Sequence, residues 1–163
     1  MKWAAWLTLA SAVGSGLIAG VFFAFSNFVM GALGKLPPAH GAAAMQSINV
    51  VVLNGLFLSI LMCTALGGLA LAGLGAMRLG QPAGWLLMAG GLSYALGCVG
   101  VTMAFNVPLN DALKAVDPAG ADGAALWARY LKDWTWWNGV RTLFAAAGMV
   151  LLVFAWRELT RGR

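Results

Sequence analysis

The sequence predicts an all-α integral membrane protein: a bundle of four membrane-spanning helices, with a short amphipathic helix in the loop before the last span. Three observations predict it. Of 163 residues, 61% are hydrophobic and 9% are charged. No charged residue occurs over 3–34, 41–77 and 79–110, and each run exceeds the roughly 20 residues a helix needs to cross about 30 Å of hydrocarbon. A last apolar run opens at Trp134-Thr135-Trp136-Trp137 and continues to Trp156. Tryptophans at such a point suit the headgroup level, where one end of the ring lies in hydrocarbon and the other in water.

The chain reads as one four-span domain over 1–163, with spans at about 3–30, 46–77, 84–105 and 134–156. The first follows Lys2, and Ala10-Ser11-Ala12 imitates the cleavage site of a signal peptide. Apolar character that continues to Met30 suits an uncleaved helix better. Ala12, Gly16, Gly20 and Ala24 recur at every fourth position, a stripe that lets another helix approach closely. It serves packing inside the bundle or self-association into a homo-oligomer. Pro37-Pro38 ends this helix and can start the next at its first turn, so that 42–49 forms the outer end of span two. Residues 78–82 make a tight turn. The third span carries Gly90, Gly91, Gly97 and Gly100 and is expected to end at Asn106-Val107-Pro108-Leu109-Asn110, because the residue before a proline is pushed out of helical geometry. Residues 111–133 are the only well-charged stretch. Asp117-Pro118 breaks it, and 122–132 reads as a short surface helix with Leu126, Trp127, Tyr130 and Leu131 turned to the membrane or the bundle.

A net charge of +5 would suggest nucleic acid in a soluble chain. Here the charges belong to topology, and no nucleic-acid partner is expected. Four spans place Lys2, Arg78, Arg157, Arg161 and Arg163 on one side, and Lys35, Lys114, Arg129 and Lys132 on the other with four aspartates. That balance is expected to put both termini in the cytoplasm, and the membrane is expected to be a bacterial inner membrane. Cys63 and Cys98 fall at different depths in separate spans, so they read as small apolar filling rather than a disulfide. One histidine, His40, is too few for a multi-histidine metal or haem site within one chain; neither a metal nor a cofactor is expected. There is no Ser/His/Asp or Cys/His set, no phosphate-binding glycine loop and no paired carboxylate within a span.

The polar side chains within the spans are lopsided. Ser26 and Asn27 close span one; Gln46, Asn49 and Asn54 open span two; Asn106 and Asn110 close span three; Asn138 and Arg141 open span four. All lie toward the side of the first and third loops, a pattern that counts against a proton or ion conduit through both halves. Trp134, Asn138, Arg141 and Ala145 share a helix face. An arginine roughly 12 Å inside a span, at about 1.5 Å per residue, costs several kcal/mol unless something receives it. Lipid cannot satisfy such groups, so they face a pocket or one another. Two readings stand: a polar pocket near one face, with Arg141 offering its planar fork to an anionic oxygen, or structural glue in which the amides and Arg141 satisfy each other.

Gly20-Val-Phe-Phe-Ala-Phe-Ser26, Met45-Gln-Ser-Ile-Asn49, Asn106-Val-Pro-Leu-Asn110 and Trp134 through Arg141 together resemble the small four-helix membrane family that includes the anthrone oxygenases. The resemblance implies a four-span protein, some of whose relatives oxidise an anthrone to an anthraquinone with molecular oxygen. An anthrone enolate can itself reduce oxygen, so the protein would supply a dry pocket, enolate stabilisation and a proton acceptor. Arg141 and Asn138 would then hold the enolate oxygen. Asn106, Asn110, Asn49 and Gln46 would orient the substrate, and Trp134 and Trp137 would stack on its rings. Asp111 and His40 are the candidates for a base. The family pattern commonly has a histidine directly after the asparagine of the last motif, where this chain has Gly139. The alternative is a non-catalytic membrane protein that binds a lipid, a quinone or another lipophilic small molecule, or an accessory subunit.

Overall fold

The computed structural model describes residues 2–161; Arg163, counted above among the terminal charges, lies outside them. The described chain is all-helical: α1 (Lys2–Leu33), α2 (Pro38–Val51), α3 (Gly55–Ala76), α4 (Pro82–Lys114) and α5 (Gly123–Thr160). Four of these, α1, α3, α4 and α5, are long and apolar enough to cross a membrane. The predicted all-α class, with four helices of membrane-spanning length and composition, is borne out.

The long helices close a ring in which α1 and α4 each lie between α3 and α5. Small residues set the spacing. A Cβ on Gly91 of α4 would run into the Gly68 carbonyl of α3, and one on Gly75 into the Gly84 carbonyl, so the two backbones touch where only glycine permits it. The stripe expected on α1 divides: Ala12 is buried, Gly16 meets the Met149 Sδ of α5, and Gly20 faces open space. The close approach of α1 to α3 is instead at Gly14, where a Cβ would strike the Thr64 side chain. Cys63 is exposed and Cys98 buried, both as free thiols.

Three elements depart from the expected boundaries, each for a local reason. Residues 42–49 belong to a separate helix, α2, rather than to the outer end of the second span. Asn54 is extended, with φ −80° and ψ 160°, and its Oδ1 accepts from the Phe57 N–H at 3.0 Å, starting α3 afresh. An asparagine at this position satisfies one of the orphan N–H groups of a helix start.

Helix α4 does not end at Asn106 but runs on through Pro108 to Lys114. Two π-helical stretches, Ser93–Gly100 and Thr102–Asn106, come first. Pro108 then falls in the first turn of the renewed α-helical segment, where a missing N–H is tolerated.

The amphipathic stretch before the last span is helical as expected, but it is the start of α5 rather than a helix lying at the surface. At 38 residues and about 1.5 Å each, α5 is about 57 Å long, far more than the hydrocarbon needs. Its buried seam runs Trp127, Tyr130, Trp134, Asn138, Arg141, Ala145, Gly148, Leu152, Ala155. That is one unbroken repeat of three and four residues, with neither glycine nor proline over 124–138 to stop it. Trp127, Tyr130 and Trp134 pack with Met30 of α1, Ala42 and Met45 of α2 and Leu113 of α4 in one apolar cluster.

Candidate functional site

Asn138 is the hub of the polar groups inside the ring. It is fully buried, and its Nδ2 donates to the Phe22 carbonyl and to Ser26 Oγ of α1, each at 2.6 Å. Its Oδ1 accepts from Arg141 Nε at 3.0 Å and from Nη2 at 2.8 Å, one turn along the same face. An amide has two donors and two lone pairs to satisfy, so Asn138 is saturated and its orientation is fixed by four hydrogen bonds.

Arg141 is only 6% exposed. Besides Asn138 it reaches Thr102 Oγ1 through Nη1 at 3.1 Å, and Thr102 in turn donates to the Cys98 carbonyl at 2.8 Å. The guanidinium carbon lies 3.7 Å from the Phe22 ring centroid and 5.1 Å from that of Trp134. A cation over an aromatic face gains about 2 kcal/mol when desolvated. Three of its five N–H groups are thus taken, by Nε, Nη2 and Nη1, and two are left. Arg129 pairs with Asp133 and Arg161 with Glu158; no carboxylate among the described residues neutralises Arg141.

Beside the guanidinium is a cavity of about 320 Å³. Phe22 and Phe25 of α1, Phe57 and Leu61 of α3, and Trp134 of α5 form apolar walls; Arg141 and Thr102 supply polarity at one end. Asn49 and Asn110 also line it, joined by the Tyr130 hydroxyl, which accepts from Asn49 Nδ2 at 3.3 Å and donates to Asn110 Oδ1 at 2.7 Å. Tyr130 is held in a stack between Trp127 and Trp134, with centroids 5.7 Å and 5.8 Å away.

Of the residues singled out in the sequence, Arg141, Trp134, Asn49 and Asn110 line this cavity. The others lie elsewhere. Asn138 stands behind Arg141 and holds it. Asn106 is fully buried, with Nδ2 donating to the Trp134 carbonyl at 3.2 Å and Oδ1 left without a partner, as is the Trp134 Nε1. Gln46 donates to the carbonyls of Leu113 at 2.7 Å and Val116 at 3.0 Å, which ties α2 to the end of α4. Trp137 stacks flat on Phe105, centroids 3.6 Å apart, and borders a separate outer groove with Phe23, Ser26, Trp136, Gly139 and Leu143. Asp111 and His40 are exposed and line neither space.

Sequence reasoning missed Thr102, Phe22 and the role of Tyr130. A threonine and a phenylalanine inside apolar runs carry no signal of their own. For Tyr130 the signal was present in its spacing, four before Trp134 on the seam that leads to Arg141. Among the described residues, no group of three or more His, Cys, Asp or Glu is placed to hold a metal ion.

A family model described as anthrone oxygenase matches residues 50–151, more than half of the chain. The match takes in α3, α4 and the part of α5 with Trp134, Asn138 and Arg141, and leaves the Phe22, Ser26 and Asn49 contributions of α1 and α2 outside it. No curated protein and no solved structure matches. With the matched segment supplying Thr102, Asn138, Arg141 and the cavity wall at Trp134, the chain belongs to the anthrone oxygenase family.

Proposed function

We propose that this chain binds a compact, flat, lipophilic aromatic molecule in the 320 Å³ cavity and oxidises it with molecular oxygen. The observation that carries the reading is a buried guanidinium with two open N–H groups and no carboxylate partner among the described residues. A buried unpaired charge costs several kcal/mol, and an anionic ring oxygen seated on the open edge relieves that cost. The volume is near the lower end of the roughly 300–1,000 Å³ of ligand pockets, which suits a few fused rings rather than a long-chain lipid.

With an anthrone, loss of the acidic C–H proton gives an enolate whose oxygen docks on Arg141, while Trp134 lies along the rings and Asn49 and Asn110 meet ring hydroxyls. The enolate passes one electron to oxygen. The resulting radical and superoxide join as a peroxide on the same carbon, which takes up a proton and loses water to leave the new carbonyl. In sum, CH2 and O2 become C=O and H2O. The enolate is the reductant, so the reaction calls for no bound cofactor; the cavity contributes charge stabilisation and exclusion of water. The protein belongs in this reading to a bacterial inner membrane, with both termini in the cytoplasm.

A second reading, a binder without turnover, is favoured by one observation: apart from Arg141 the cavity wall has no ionisable side chain, so no base is placed to take the proton. Oxygen uptake by reconstituted protein with a model anthrone separates the two. The oxidase shows uptake matched by anthraquinone, above spontaneous oxidation, that Arg141→Gln reduces to background in a folded protein. Saturable binding with no uptake leaves the binder. Neither uptake nor binding by the unaltered chain ends both readings.

A further inference from the structure

We infer that the cavity is filled sideways, from the hydrocarbon, through a window between α3 and α4, so that its ligand is a molecule dissolved in the membrane. The inference rests on the reading of the cavity as a ligand site and adds the route by which that site is reached.

The cavity wall includes residues that are also exposed on the outside. Leu58 and Met62 of α3 are 37% and 41% exposed, and Met103 of α4 is 62% exposed, yet all three line the cavity. Each of the first two follows an inward residue, Phe57 or Leu61, by one position, about 100° further round the helix. They therefore stand at the outer edge of the face that packs on α4. Lower down, Gly68 against Gly91 and Gly75 against Gly84 bring the two backbones into contact. Near the cavity no glycine pairs them, and the π-helical stretch Thr102–Asn106 replaces regular α-helix. The side chains that fill the gap are Leu and Met, and methionine is unbranched and swings aside at low cost. Nothing charged borders it, so a polar solute gains nothing there.

The opposite approach, from the water beyond the helix ends, is roofed. Helix α2 lies along the cavity with Met45, Ile48 and Asn49 in its wall, and Val52 and the outward-facing Leu53 carry that wall on toward α3. Two bonds from Gln46 tie α2 to the Leu113 carbonyl at the end of α4 and to the Val116 carbonyl just beyond it. Two more tie it through Asn49 and Tyr130 to Asn110. A ligand arriving by that path has to break this set; one arriving between Met62 and Met103 displaces only thioethers. The window thus restricts the site to solutes that partition into lipid, while the guanidinium inside selects those bearing an anionic or enolisable oxygen.

The test needs no ligand. Leu61→Cys, in a background with Cys63→Ala and Cys98→Ala, places a thiol on the cavity wall; the protein is reconstituted in phosphatidylcholine vesicles. N-phenylmaleimide, which partitions into lipid, is compared with a quaternary-ammonium maleimide confined to water, each normalised to its rate with a free thiol. The lipophilic reagent is expected to react at least tenfold faster. Met62→Trp with Met103→Trp is expected to slow it at least tenfold, and each single replacement, readable even if the pair does not fold, to give part of that slowing. Comparable labelling by the charged reagent, no labelling by either, or no effect of the tryptophans overturns the inference. Because labelling involves no anthrone, a window that passes this test while no anthrone binds condemns the proposed ligand and leaves the route standing.

Discussion

Replacing Asn138 by leucine separates a positioned guanidinium from mere glue between helices. The side chains are similar in size, so packing changes little, but four hydrogen bonds disappear. Polar bonds between helices in a membrane average about 0.6 kcal/mol, so the two to α1 account for about 1 kcal/mol. The two that Arg141 donates are worth more, about 1.5–3 kcal/mol each because the donor is charged. They are not fully additive with the first pair, and a total loss of about 4 kcal/mol is expected. Most of that loss comes from the stranded charge rather than from the missing amide. The double variant Asn138→Leu, Arg141→Met should therefore be more stable than Asn138→Leu alone, to within about 1–2 kcal/mol of the unaltered chain, since removing both members of a buried polar pair is far cheaper than removing one. Unfolding in mixed micelles by titration with dodecyl sulfate, followed by tryptophan fluorescence, measures all four corners of the cycle. If the two substitutions simply add, Asn138 does not hold Arg141 and the account of the site is wrong.

Three further outcomes follow from the same geometry. Gln46→Ala removes the two bonds that tie α2 to the end of α4 and the residues just after it, about 1–2 kcal/mol, and should speed amide exchange of α2 about tenfold while α3 is unchanged, as read by hydrogen–deuterium exchange mass spectrometry. Tyr130→Phe deletes the hydroxyl between Asn49 and Asn110; it should weaken anthrone binding severalfold by titration yet cost only about 1–2 kcal/mol of stability. Gly91→Ala drives a methyl group into the Gly68 carbonyl and should cost about 3 kcal/mol, the upper end for overpacking, seen as a lower melting temperature in micelles.

The fold was legible because the hydrophobic runs exceed what a soluble domain tolerates, and nothing in tertiary packing can undo a 30-residue apolar stretch. Boundaries were less legible where two local rules compete. Pro108 reads as a stop because of the residue before it, but π-helical turns reset the hydrogen-bond register and let α4 pass. Asn54 reads as one more amide in a pocket, whereas its side chain is spent on starting α3. For the site, the spacing of Trp134, Asn138 and Arg141 placed them correctly on one buried face. What spacing along one helix cannot give is the partner across the ring. That the amide of Asn138 turns to Phe22 and Ser26, 116 and 112 residues away, is decided by packing of α1 on α5. Trp134 and Trp137 look equivalent in sequence, but three residues of helix turn put one in the cavity and the other in the outer groove.

The glycine after Asn138 sharpens the choice between those two spaces. The resemblance set out above implies a histidine at this point, which invites the reading that this chain has lost a base. Gly139 lies one position beyond Asn138, about 100° round the helix, and borders the outer groove beside Phe23, Ser26 and Asp133. A Cβ there would meet nothing within 4 Å. An imidazole at 139 therefore extends into that groove and not toward the two open N–H groups of Arg141. Gly139→His should fold normally, with a small gain in stability of about 0.3 kcal/mol from replacing a glycine within a helix. Anthrone affinity of the Arg141 cavity should stay within twofold of the unaltered chain. If oxygen uptake instead rises steeply in Gly139→His and is indifferent to Arg141→Gln, the chemistry belongs to the outer groove, and the guanidinium is there to hold α4 and α5 together.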